Sequence, residues 1–390
     1  MGNLLGRYVI GQWGSGFVLS LATLPRVASV ELFCSELDPG LSRDPIDYPP
    51  KVSFRGSYDR EGPLSILKAT WSLRKWRGDL LVFNMNTTSF GSRSSSNLLG
   101  LLMPIVARAV FRKPVVVVYH SSVLTSDVER LGYTSFFDRM RGALAATVER
   151  FLFRRVPTFV LLQCYKEVLD QKVPEAHVHA FRNEFLEAIP TIRLNRLDVP
   201  GQLIRCDRDP GYVPTILLHG YWGPQKNLEG ILPTLQSLAA EGVRFRLTLS
   251  GSVNPHFPSY AAHLEELVTK YRGIISSRPG SVPEADVAGL MTGSDLLLLP
   301  YNASGGQSGV MEIASCFDLP SIVSDFPEYR EKAATKPTIE LSEPGRMGEA
   351  IRSALVQVGS GPPRRISLSE KLAIARDYVD RFLTEAKAVA

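Results

Sequence analysis

Short apolar runs of strand length alternate along the whole chain with longer segments whose apolar residues recur every three or four positions. Alternation of this kind predicts parallel sheets covered by helices on both faces. Two such series follow one another. The first predicts strands near Tyr8–Gly11, Val30–Cys34, Lys51–Phe54, Leu80–Asn84, Pro114–His120 and Thr158–Gln163. The second predicts strands near Thr215–Gly220, Arg244–Ser250, Gly273–Ser276, Asp295–Pro300, Leu319–Ser324 and Thr338–Leu341. Between them, residues 187–212 hold Pro190, Pro200, Pro210 and Gly211 with little periodicity, and read as a linker. Residues 369–390 carry Leu372, Ile374, Ala375, Tyr378, Val379, Phe382 and Leu383 at helical spacing and predict a terminal helix. The expected fold is therefore α/β, with two doubly wound Rossmann-like domains at 1–186 and 213–368. Such sheets bring the loops at their strand C-termini to a shared cleft, the usual ligand site.

Composition agrees with two cores and narrows the setting. The chain has 390 residues, 44% apolar and 21% charged, which is globular material for more than one domain. Four scattered cysteines (Cys34, Cys164, Cys206, Cys316) show no CxxC spacing, so neither a disulfide framework nor a zinc site is expected, and a reduced cytoplasmic setting fits. The N-terminus lacks a signal-peptide pattern, and the most apolar segment, 98–111, is too short to span a membrane and carries Arg108. The net charge of +5 is uneven: residues 1–205 hold the basic excess and 206–390 are slightly acidic. Any anionic surface is expected to meet the first half.

Three glycine-bearing loops at strand ends could take an anion. Gly11-Gln12-Trp13-Gly14-Ser15-Gly16 is expected to follow the first strand and precede a helix over 17–24, with the amides of Gly14, Ser15 and Gly16 aimed at a ligand. It is not a GxGxxG, so a dinucleotide fingerprint is absent, and a tight strand-to-helix turn would use the same glycines. Gly220-Tyr221-Trp222-Gly223-Pro224-Gln225-Lys226-Asn227 precedes a helix over 228–240. Lys226 would set a cation beside the ligand and Asn227 would cap the helix, although a surface turn would tolerate both. The third, Ser304-Gly305-Gly306-Gln307-Ser308-Gly309-Val310, frees the backbone at a helix start and places Glu312 in the first turn. Helix amides suit a phosphate and a carboxylate suits sugar hydroxyls, whereas complementing the helix dipole would by itself be worth about 0.3–1 kcal/mol.

Gly220 with Lys226, the segment Ser281–Met291, and the stretch from Ser304 to Asp325 together resemble the retaining glycosyltransferases of family 4 (glycosyl transferases group 1), which have the GT-B fold. Glu312, Ala314, Pro320 and Ser321-Ile322-Val323-Ser324-Asp325 match that family's last segment, and the resemblance covers most of 213–332. In the first half it rests on the early glycine loop, His120 at a strand end, and Phe181-Arg182-Asn183-Glu184. The resemblance implies that Glu312 binds the ribose of a nucleotide sugar, that Lys226 meets the diphosphate, that Val282 lines the base, and that His120 lies beside the donor sugar. It also implies that the terminal helix packs on the N-terminal domain. Two positions depart from the pattern: Ser304 stands where the family has its first Glu, and Tyr221 where it has an arginine.

The resemblance further implies a metal-independent, retaining transfer of a hexose from a UDP- or GDP-linked donor to a glycan or lipid-linked acceptor. Lys226 and oriented amides would stabilise the leaving diphosphate. Two alternatives stay open: a nucleotide-sugar binding or scaffold protein that has lost turnover, which Ser304 and Tyr221 favour, and another GT-B enzyme such as a nucleotide-sugar epimerase. Asp207-Arg208-Asp209 has the letters of a metal-binding Asp-x-Asp but lies in the expected linker, and His177-Val178-His179 alternates like a surface strand without a third ligand nearby. Arg74, Lys75 and Arg77 interleave with Trp71 and Trp76, and 136–155 is amphipathic and arginine-rich, faces that suit an anionic membrane surface. Nucleic acid is not expected, because no recognised module accompanies the charge.

Overall fold

The computed structural model describes residues 9–35, 49–59, 62–91, 93–127, 129, 131, 134–181, 202–204, 211–254, 257–277, 280, 282–304, 306, 308–360 and 365–390. The chain divides into two compact units, Met1–Val128 with Tyr133–Leu197 and Ser369–Ala390, and Glu129–Gly132 with Asp198–Leu368.

In the first unit, β3 (Leu81–Met85), β4 (Val115–Tyr119), β5 (Thr158–Val160) and β6 (Val178–Ala180) form a parallel sheet in that order, while β1 (Val30–Ser35) and β2 (Val52–Tyr58) form a separate parallel pair. Strand β4 is apolar throughout because both its faces are covered. Val115, Val117 and Tyr119 join a core with α2 (Pro63–Ser72), α3 (Ser94–Ala109), α4 (Phe136–Arg155) and α5 (Gln163–Lys172). Val116 and Val118 join another with α1 (Val9–Leu21) and α12 (Leu368–Val389). There Phe382 of α12 lies 5.1 Å from both Phe17 and Phe159, ring centroid to centroid.

The expected strand at Tyr8–Gly11 is corrected here. Val9–Leu21 is one helix, and Gly11, Gly14 and Gly16 lie within it, so these glycines form no strand-end loop; Tyr8 lies outside the described residues. Val9, Trp13, Phe17 and Leu21 recur every fourth position, and Phe17, Leu19 and Leu21 are buried against the sheet. That burial, about 1.5–3 kcal/mol for each large apolar side chain, outweighs a glycine penalty near 1 kcal/mol each.

In the second unit, β8 (Thr215–His219), β9 (Arg246–Ser250), β10 (Ile275–Ser277), β11 (Leu296–Leu299), β12 (Ser321–Ser324) and β13 (Ile339–Ser342) form a parallel sheet ordered β10-β9-β8-β11-β12-β13. Helices α6 (Leu228–Ala240), α7 (Tyr260–Lys270) and α11 (Met347–Ser360) contribute to its core. Numbered from β8, the order is 3-2-1-4-5-6, so the winding reverses between β8 and β11 and leaves a crevice beyond their C-terminal ends. Two short strands that the sequence did not announce, β7 (Gln202–Ile204) and β14 (Arg365–Ser367), pair antiparallel. Each has three residues, too few for period-two alternation to register. Residues 187–201 and 205–210 of the expected linker, with Asp207 and Asp209, lie outside the described residues.

Candidate functional site

At the crevice of the second unit the chain comes so close to itself that only glycine fits. Gly220 after β8 has φ of 131° and Gly251 after β9 has φ of 108°. A Cβ on Gly251 would lie 1.9 Å from the Gly220 carbonyl oxygen. A Cβ on Gly220 would in turn lie 3.3 Å from both Lys226 Nζ and Val310 Cγ2. The lysine and the first turn of α9 (Gly309–Cys316) therefore arrive at one point beyond β8.

Tyr301, just past β11, joins the two. Lys226 Nζ donates to its hydroxyl and sits 3.9 Å from its ring centroid, and that hydroxyl lies 3.4 Å from Ser308 Oγ. Ser308 caps α9 by accepting from the Met311 amide, and Asn302 donates from its backbone and side chain to the carbonyls of Gln225 and Pro224. The arrangement unites a cation, a hydroxyl and a helix N-terminus, three groups that favour bound negative charge. His219 at the end of β8 contacts Ser250 Oγ at 3.1 Å. Burial and the neighbouring Lys226 bring its pKa down to about 4, so it adds no charge at neutral pH.

The other expected residues take varied places. Asn227 holds the N-cap position of α6 in a left-handed conformation, with φ of 53°, but its side chain makes no capping bond. Glu312 lies in the first turn of α9 as expected, and it is buried, 1% exposed, and pairs with Lys332 Nζ at 2.7 Å. Lys332 lies on α10 (Pro327–Ala333) and is buried too, and two opposite charges withdrawn from water stabilise each other. Ser304 Oγ donates to the Gly306 carbonyl at 3.2 Å. Tyr221 is exposed, and Val282 is half-buried just before α8 (Glu284–Thr292). Gly305 and Gln307 lie outside the described residues.

In the first unit, His120 follows β4 and its Nε2 meets Asn84 Oδ1 of β3 at 2.5 Å. The amide oxygen only accepts, so Nε2 carries the proton in this contact. Burial drives the pKa of His120 down to about 3, which keeps the ring neutral. Gly14 reaches this pair as a helix residue, since a Cβ there would be 3.0 Å from Asn84 Nδ2. The expected anion loop of Gly14, Ser15 and Gly16 is thus replaced by a helix packed beside Asn84.

Sequence reasoning missed Glu149 of α4. It is wholly buried and accepts from Thr87 Oγ1 at 2.5 Å, Tyr119 OH at 2.7 Å, Ser122 Oγ, and the Val123 amide at 3.4 Å. Burial raises its pKa while these donors pull it down, and the same burial raises that of Tyr119. Glu149 thereby anchors the turn that carries His120 and Ser122. Its signal was its place on the same arc of α4 as the buried Ala145 and Leu152. Among the described residues, no group of three or more His, Cys, Asp or Glu side chains could hold a metal ion.

No family model matches the sequence, and no curated protein is similar to it in sequence. Solved structures are similar in fold. Sucrose-phosphate synthase from Thermosynechococcus elongatus, 15% identical, aligns over 97% of this chain and 92% of its own with a TM-score of 0.66. HepE from Anabaena, in complex with UDP, is 14% identical over 87% of this chain and 86% of its own, at a TM-score of 0.56. WaaG, a glycosyltransferase involved in lipopolysaccharide biosynthesis, is 15% identical over 98% of this chain and 96% of its own, at 0.55. The chain has the GT-B fold of these enzymes, with two Rossmann-like domains.

Proposed function

We propose that the protein is a glycosyltransferase whose second unit binds a nucleotide-sugar donor. The observation that carries this reading is the meeting of Lys226, Gly220, Tyr301 and the Ser308-capped start of α9 at the winding reversal of a parallel sheet. Anionic ligands bind at such points. HepE, which shares the fold, has been solved with UDP and with UDP-glucose, which supports a nucleotide sugar over other anions.

In this reading the donor is a UDP- or GDP-linked hexose and its diphosphate faces Lys226 and the amides of Ser308 to Val310. Glu312, held by Lys332, meets the ribose, and Ser304 and Val282 belong to the sugar and base ends. Transfer breaks the bond from the anomeric carbon to the phosphate oxygen, and the electron pair leaves with the diphosphate. The acceptor hydroxyl bonds to the same face, and its proton passes to the departing phosphate. Lys226 supplies the charge that a metal would otherwise bring. To the first unit we assign the glycan or lipid-linked acceptor, and to His120 the positioning or polarisation of a sugar hydroxyl. A second reading, a nucleotide-sugar binding protein without turnover, is favoured by Ser304, whose hydroxyl is spent on the Gly306 carbonyl.

Calorimetric titration of UDP, GDP and their glucose and mannose conjugates, with and without EDTA, tests the donor site. One nucleotide series is expected to bind in EDTA, and Lys226→Gln to weaken it at least tenfold. The double variant Glu312→Met/Lys332→Met replaces a buried ion pair by apolar groups, so it is expected to fold yet bind weakly. Product analysis then separates transfer from binding alone. No binding by any donor would sink the proposal.

A further inference from the structure

Helices α2, α3 and α4 of the first unit form one layer, in which α2 and α4 both pack on α3. Nine of the thirteen large apolar side chains exposed among the described residues belong to these helices or to the residue just after α3. A concentration of that kind on one layer marks a contact surface, since single exposed apolar residues are ordinarily scattered.

Each outer helix has a second apolar face. On α2, Leu64, Leu67 and Trp71 are exposed, whereas Ile66, Ala69 and Thr70 are buried. At 3.6 residues per turn the exposed three share an arc of about 60° on the opposite side from the buried three. On α4, Phe136, Phe137, Met140, Leu144 and Phe151 are exposed, and by the same rotation they fall within about 100° of one another. The buried face of α4, with Ala145, Leu152 and Phe153, lies elsewhere on the helix, so the exposed arc is not needed for the fold.

Charge identifies the occupant. The segment from Pro63 to Lys75 contains Lys68, Arg74 and Lys75 and no carboxylate. On α4 the exposed arc is flanked by Arg139 and Arg141 and ends beside Arg154 and Arg155, with Asp138 its one acidic residue besides the buried Glu149. Arginines also stack on the exposed rings: Arg74 lies 4.8 Å from Trp71 and Arg155 lies 5.4 Å from Phe151. A second copy of this face would set arginine against arginine. Exposed apolar stripes rimmed by cations suit an anionic membrane surface better than a second copy of the same face.

We infer that the α2–α4 layer docks on an anionic phospholipid surface, inserting Leu67, Trp71, Phe137 and Met140 while the arginines meet the headgroups. Trp76, grouped with this face by the sequence, is excluded from it because it packs against the core. No helix among the described residues is long and apolar enough to cross a membrane, so the contact is peripheral.

Co-sedimentation of the full chain with vesicles of phosphatidylcholine alone, or with phosphatidylglycerol added, tests the inference. Binding is expected only to the anionic vesicles and weakens with added salt. Phe137→Glu/Met140→Glu should lower it at least tenfold, and Arg139→Gln/Arg141→Gln by about fivefold for each charge removed. Nucleotide titration of the same variants, expected to be unchanged, shows that they remain folded and separates this outcome from that of the donor reading. Equal binding to both vesicles, or undiminished binding by the variants, would overturn it. So would a self-associated chain that Phe137→Glu/Met140→Glu renders monomeric and that ignores vesicles.

Discussion

His120 and His219 are both held neutral by burial, with pKa values near 3 and near 4. The unfolded chain protonates a histidine near pH 6.5, so below that pH it holds protons that the folded state does not. The folded state is therefore at no disadvantage above about pH 6.5. It loses stability as the pH falls from there towards the folded values, by up to about 1.4 kcal/mol per pH unit for each ring. Urea unfolding of His120→Gln at pH 6.5 and pH 5 should show a loss about 2 kcal/mol smaller than that of the parent. An equal loss in both would mean that His120 is not a buried neutral ring. The sequence placed His120 at a strand end, but Asn84 and Glu149, which fix its turn, stand 36 and 29 positions away, and only the fold brings them there.

At the level of elements, the site depends on two strand-end turns in contact, the Gly220 turn after β8 and the Gly251 turn after β9. The Gly251 amide donates to the Gly280 carbonyl at 2.7 Å, and its carbonyl accepts from Trp222 Nε1 at 3.0 Å, so the turn is fixed from both sides. Gly251→Ala would add a methyl at a φ of 108°, in contact with backbone that cannot rotate away. Urea unfolding is expected to show a cost of about 2–4 kcal/mol, and nucleotide titration a weaker site. A change within 0.5 kcal/mol would refute the close approach. Glycine misled at the other end of the chain, where the Gly11–Gly16 stretch reads as a loop but is helical. Local propensity is worth about 1 kcal/mol per glycine, and the burial of Phe17 and Leu21 decides against it.

On the scale of the whole molecule, two units carry separate cores, and the last helix completes the first. Phe382 of α12 is buried among Phe17, Phe159 and Phe181. Phe382→Ala should cost about 3–5 kcal/mol. Hydrogen exchange should then quicken in β4 and β5 far more than in β8 and β11, and equal quickening in both units would contradict separate cores. The alternation of apolar runs and amphipathic segments determined by itself the α/β class, the parallel strands of both series except the first, and the strand-end position of Lys226 and His120. Those features depend on periodicity and chain order, which are local. The partners of the site residues were decided only by tertiary structure: Lys332 for Glu312, Tyr301 for Lys226, and the donors around Glu149. So was the helix at Val9–Leu21. A buried charge takes whichever group the packed fold places beside it, because leaving it unpaired away from water costs more than local preference can repay.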